Sequence, residues 1–168
     1  MRRVEGFSLI ELVMVIVILG ILAAFVGPVL FNALRSCDRG QSATLTQAKM
    51  RYAIERMSRE LREVRRRTTD ATFLDVTSMT ASSIAFFKTD GTQVIIGAAG
   101  NQLNLAYSSI SGMLTDQLGG FSFAYFQQNA TTVAASAASI AYVQISMALS
   151  EGTNLFSARV RVDLKNPQ

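Results

Sequence analysis

Twenty consecutive residues, Leu12 to Phe31, carry no charge, and no other feature constrains the fold of this chain so strongly. At about 1.5 Å of rise per residue, a helix of that length crosses a hydrocarbon core of about 30 Å. The apolar run opens at Phe7, as FSLIELVMVIVILGILAAFVGPVLF, and Glu11 is its only ionisable side chain. Arg2 and Arg3 precede it and no basic residue follows until Arg35. The positive-inside bias therefore predicts a cytoplasmic N-terminus, with the rest of the chain across the membrane. A secretory signal cut near Leu22-Ala23-Ala24 fits less well, because the apolar run continues to Phe31 and Glu11 interrupts what should be a purely apolar stretch.

Composition narrows the chemistry. The 168 residues include no histidine, no tryptophan and one cysteine, Cys37. An internal disulfide, a Cys/His zinc cluster and any imidazole general base are excluded by count. No glycine-rich phosphate loop, acidic calcium loop or nucleophile–base pair is legible, so no cofactor, no metal and no catalytic residue are expected, and the chain is not expected to be an enzyme. The net charge of +4 comes from one stripe: residues 49–67 hold eight basic and three acidic side chains, whereas 71–158 hold Lys88 against Asp75, Asp90, Asp116 and Glu151. Acids intermixed in the stripe argue for a solvated helix face over a nucleic-acid site.

Glu11 has two readings. A carboxylate at the bilayer centre costs about 2.5–3.5 kcal/mol by insertion scales and less near an interface, where it stays hydrated. Alternatively its partner is a cation of another subunit. The residues alone leave both open.

The string Gly6-Phe7-Ser8-Leu9-Ile10-Glu11-Leu12, behind a basic leader and ahead of a long apolar run, resembles the class III signal of type IV pilins and type II secretion pseudopilins. The resemblance implies cleavage by a prepilin peptidase between Gly6 and Phe7, methylation of the new amine of Phe7, and a role for Glu11 in subunit assembly. A positive amine at Phe7 would stand one turn from Glu11, at i to i+4. Pro28 cannot donate to the Ala24 carbonyl, so a kink or loosening is expected at Gly27-Pro28.

Beyond the membrane, helicity is expected to relax over 35–40, where Ser36, Asp38 and Gly40 weaken propensity, and to resume over 42–67. Met50, Ile54, Met57, Leu61 and Val64 form a seam at intervals of four and three, while five candidate i,i+4 ion pairs, Arg56/Glu60 among them, lace the other surface. Arg65-Arg66-Arg67 is read as the end of this helix, favourable to its dipole. Short antiparallel strands should follow. Asp90-Gly91 marks a hairpin after Ser83–Lys88, and further strands are expected over 72–77, 93–96, 102–108, 121–127, 140–149 and 159–165. The last alternates Arg159, Arg161, Asp163 and Lys165 with Val160, Val162 and Leu164, one face for water and one for a core. Gly97–Asn101 and Gly119-Gly120 are read as turns, and the alanine–serine tract 129–139 as an exposed loop. Serines, Gln144 and a period of two argue against a second membrane segment over 133–149.

The expected fold class is α+β: a long transmembrane and stalk helix packed on a small antiparallel β-sheet head, with a leader over 1–6, a transmembrane assembly helix over 7–34 and a periplasmic head over 35–168 whose sheet spans 72–165. MSRELREV, LGGFSFAYF and FSARVRVDLKN are similar to segments of minor pilins and of J- or W-type minor pseudopilins. That resemblance implies a filament subunit whose partners are a prepilin peptidase, other pilins or pseudopilins, an inner-membrane assembly platform and the phospholipid membrane. A membrane-anchored binding module and a DNA-uptake pilus component are the alternatives.

Overall fold

The computed structural model describes residues 8–67, 73–108 and 110–164. The chain divides into two compact units, Met1–Ser42 and Ala43–Gln168. In the first, the helix α1 (Leu9–Arg62) begins, and its apolar side chains from Leu9 to Leu34 are exposed. The helix continues through 35–40 without the expected relaxation. Weak propensity at Ser36, Asp38 and Gly40 amounts to at most about 1 kcal/mol per residue, less than stopping and renucleating a helix requires.

In the second unit the remainder of α1 meets two sheets. The first is a five-stranded meander of β1 (Val76–Met79), β2 (Ser83–Phe87), β3 (Gln93–Ala99), β4 (Gln102–Tyr107) and β5 (Ile110–Thr115). The second has three strands, β6 (Leu118–Phe126), β7 (Tyr142–Glu151) and β8 (Asn154–Asp163). Every pairing is antiparallel. This is the α+β architecture expected, with two sheets in place of one.

The seam Met50, Ile54, Met57, Leu61 and Val64 is buried, and one apolar cluster joins it to Ile84, Phe86, Val94, Ile96, Leu103 and Leu105 of the first sheet and Phe123, Val143, Ile145, Met147 and Leu149 of the second. Alternation explains the sheet contributions: Val94 and Ile96 point inward while Ile95 is exposed, and Val162 is buried between exposed Arg161 and Asp163. The Tyr125 hydroxyl of β6 donates to the carbonyls of Thr80 (2.7 Å) and Ser83 (3.0 Å), tying the second sheet to the β1–β2 turn. At the β2–β3 hairpin Gly91 takes φ +84°, and the Asp90 carboxylate accepts the Thr92 N–H at 2.8 Å.

Several local expectations are corrected. The helix stops at Arg62 and not at 67, because the chain after it joins the sheet: Arg65 N–H donates to the Phe87 carbonyl, and Val64 and Arg66 bridge Lys88 and Leu74. Gly119-Gly120 lie inside β6 at a register irregularity, where a Cβ on Gly119 would come within 2.9 Å of Leu155 Cδ1. Gly97 is in β3, so that turn shrinks to Gly100-Asn101. The alanine–serine tract is partly structured: Val133 bridges Phe126, Ala134 is buried, and Ala137–Ser139 forms a 3₁₀ turn. Strand β5 is not among the expected strands, and β8 starts at Asn154, five residues before expectation, after a turn in which Gly152 has φ +58°.

Candidate functional site: the exposed apolar helix

Ser8 caps α1. Its hydroxyl accepts the Glu11 backbone N–H at 3.3 Å, and its carbonyl accepts the N–H groups of Glu11 (3.1 Å) and Leu12 (3.2 Å). A serine at the cap with glutamate three residues on is the sequence form of a capping box, a signal that sequence reasoning centred on the charge of Glu11 passed over. Glu11 is therefore a first-turn carboxylate at the positive end of a helix, where a negative charge is favoured by about 0.3–1 kcal/mol.

Beyond this turn the most apolar 18-residue stretch of α1 has a mean hydropathy of 3.0 and none of it is buried. That stretch satisfies a membrane anchor by length and composition. Gly27 and Pro28 both lie within α1, and Pro28 leaves the Ala24 carbonyl without its intrahelical donor. The apolar run closes where the Arg35 guanidinium lies 4.2 Å from the Phe31 ring centroid. Cys37, on the next turn, is an exposed free thiol. Gly6 and Phe7, the residues of the expected cleavage and methylation, lie outside the described residues.

The head has a second polar feature that places the basic stripe. Glu60, 2% exposed, is the buried carboxylate among the described residues of the head. It sits 3.1 Å from Arg56 Nη2, accepts the Tyr107 hydroxyl at 2.7 Å, and has Lys88 Nζ 3.2 Å from Oε2, outside hydrogen-bond geometry. Lys88 also reaches Glu63 at 2.6 Å, and its pKa is raised, first by that bond and then by Glu60, against the opposing effect of burial. The Tyr107 pKa is raised by burial and by Glu60. Of the five candidate i,i+4 pairs, Arg56/Glu60 alone is among the ion pairs formed. The cluster pins α1 to β4 and to Lys88, the residue that follows β2; it is a structural clasp of opposite charges whose partners neutralise each other.

Arg65 does not serve a helix end. It pairs with Asp75 at 2.8 Å and lies 4.8 Å from the Phe87 ring centroid. Among the described residues no group of three or more His, Cys, Asp or Glu side chains could hold a metal ion. A shallow depression of about 560 Å³ on the outer face of β6–β8 is lined by Gly120, Ser122, Ser146, Ala148, Ser157 and Arg159 among others.

Residues 1–27 match the family described as the prokaryotic N-terminal methylation motif. No curated protein matches the chain. The match covers Gly6, Phe7, Ser8, Glu11 and Gly27, the leader and most of the exposed apolar stretch, and leaves the head outside it.

Proposed function

From the premise that this chain is a pilin- or pseudopilin-type protein, since it carries the N-terminal methylation motif diagnostic of that class, we propose that it is a minor subunit that primes or supports assembly of a type IV pilus or a type II secretion pseudopilus. The observation that carries the reading is the combination in α1 of an apolar surface exposed from Leu9 to Leu34 with one carboxylate in its first turn. Lipid before assembly and the apolar interior of a filament afterwards are similar solvents for that surface, so extraction need not expose it to water. Gly6 and Phe7 are then the processing site and Phe7 the methylated residue, acted on by a prepilin peptidase. Glu11 is the assembly carboxylate, neutralising the terminal amine of a neighbouring subunit, and Gly27-Pro28 is the point at which the helix loosens on packing. The head lies in the periplasm, the partners are other pilins or pseudopilins and the inner-membrane platform, and the chain turns over no substrate.

Substituting Glu11→Gln tests this, because it removes the charge and keeps the size. At matched protein levels the variant should accumulate in the inner membrane with a normally folded head, while cross-linking to partner pilins and filament number fall. Normal cross-linking and normal filament number would remove Glu11 from assembly and favour a membrane-anchored binding module.

A further inference from the structure

The apolar surface of α1 ends in a basic step. After Glu11 the first charge in the chain is Arg35, and Arg39 follows it one turn later. At 3.6 residues per turn, Phe31, Arg35 and Arg39 stand on one stripe of the helix. All three are exposed, as is every residue between them. Asp38 is the acid beside the stripe, and among the described residues it forms no ion pair with either arginine.

The direction of Arg35 decides which solvent its charge meets. The guanidinium is folded back along the helix to within 4.2 Å of the Phe31 ring centroid, toward the apolar run. With the uncharged residues from Leu12 to Phe31 filling the hydrocarbon core, the Arg35 Cα stands about 6 Å beyond it. The polar zone outside the core is about 5–8 Å deep on each side. Pointing outward, the side chain would leave that zone; folded over Phe31, it holds its charge inside the zone, at the level of the lipid phosphates. Helical side chains lean toward the N-terminus, so Arg39, about 6 Å further out, leans into the same zone.

We propose that Arg35 and Arg39 bind the phosphate of an anionic phospholipid in the leaflet at the C-terminal end of the apolar run, and that this contact sets the depth of α1. Guanidinium groups match phosphate oxygens through parallel N–H bonds. An anionic headgroup is favoured over a zwitterionic one because it brings no ammonium group toward the two arginines, whose charge exceeds that of Asp38. The depth follows from the spacing. Glu11 lies 24 residues before Arg35, which is about 36 Å of helix. That is more than the hydrocarbon thickness of about 30 Å and less than the whole bilayer at about 40–45 Å. Holding Arg35 among the phosphates of one leaflet therefore sets Glu11 among the headgroups of the other, where its carboxylate stays hydrated before any neighbour reaches it. The inference rests on the reading of α1 as a membrane anchor and not on the part Glu11 plays in assembly, so it survives a normal Glu11→Gln phenotype.

The full chain in nanodiscs of equal parts phosphatidylglycerol and phosphatidylcholine provides the test. Each arginine near an anionic surface favours it about fivefold, so the lipid retained by wild type in native mass spectrometry should favour phosphatidylglycerol about 25-fold, Arg35→Gln about fivefold, and the double variant Arg35→Gln/Arg39→Gln not at all. Arg159→Gln, exposed on the head, should behave as wild type. Resistance of every variant to carbonate extraction checks the anchor reading separately. Depth is read at Cys37, an exposed free thiol pointing away from the arginine stripe. A nitroxide on Cys37 should be less accessible to a water-soluble nickel chelate in vesicles of the mixed lipids than in pure phosphatidylcholine, and replacing both arginines should abolish the difference. A wild-type preference below about twofold would overturn the proposal. So would a preference unchanged in the double variant or lost in Arg159→Gln, equal Cys37 accessibility in the two kinds of vesicle, or displacement of the lipid by inorganic phosphate as readily as by phosphatidylglycerol.

Discussion

Glu60 illustrates how a residue's neighbours decide its role. Read along the helix it belongs to an exposed ladder of ion pairs, but Tyr107, 47 residues later, and Lys88 close over it. Glu60→Gln keeps the shape and deletes the charge that Arg56 and Lys88 share. Lys88 retains Glu63 and Arg56 retains Tyr107, so the expected destabilisation is about 2–3 kcal/mol, below the range for a buried charge left wholly unpaired. Denaturant unfolding of the full chain in detergent measures it; a change under about 0.5 kcal/mol, the usual range for surface substitutions, would mean the clasp is not part of the folded head's stability. At the other end of the chain, Gly6 and Phe7 carry a mass prediction. Protein from native membranes should lack Met1–Gly6 and carry one added methyl group, and retention of the leader or a mature terminus near Phe25 would refute it.

At the scale of elements, the buried seam of α1 is the part of the head that a linear reading places correctly. Intervals of four and three put Met50, Ile54, Met57 and Leu61 on one face whatever they pack against, while Val64, beyond the helix end at Arg62, reaches the same core from its bridge to Lys88. Leu61→Ala and Ile54→Ala should each destabilise the head by about 2–5 kcal/mol, with Leu61, fully buried, at the upper end and Ile54, at the boundary, at the lower. Equal effects, or none, in chemical unfolding would contradict this packing. Strand β5 escaped the same reading because ISGMLT has neither a period of two nor β-branched density: Ser111 and Gly112 dilute it, and its register shifts between Met113 and Thr115. Its strand character comes from backbone bonds to β4, a partner that local preference does not encode. The helix end was misplaced for a related reason. Arg65 and Arg66 have good helix propensity, and sheet bonds to Phe87 and Leu74 outweigh it.

Across the whole molecule, the raised pKa values of Lys88, Tyr107 and Tyr125 share one consequence. In each case the folded state keeps its proton after the unfolded chain has begun to release it, near pH 10 for both residue types. Folding then binds more protons than unfolding, so stability is present in full below about pH 10 and declines as pH rises through the folded values. Thermal unfolding between pH 8 and 11.5 should show a plateau followed by a fall, and Tyr125→Phe, which also loses the bonds to Thr80 and Ser83, should lower the plateau by about 1 kcal/mol and soften the fall. A melting temperature that rises above pH 10 would contradict the sign.

The sequence by itself determined the features that are local or periodic. An uncharged run long enough to span a membrane, a cap and carboxylate at its start, a helical seam and the alternation of β7 and β8 each depend on residues a few positions apart, and each is present in the fold. Tertiary structure decided what depends on distant partners: the division into two sheets, the burial of Glu60 beneath Tyr107, the capture of Arg65 by Asp75, and the pairing of β5 with β4. Spacing along a chain sets which side chains share a face; only the closed topology sets which faces meet, and so which charges are shielded and which strands pair.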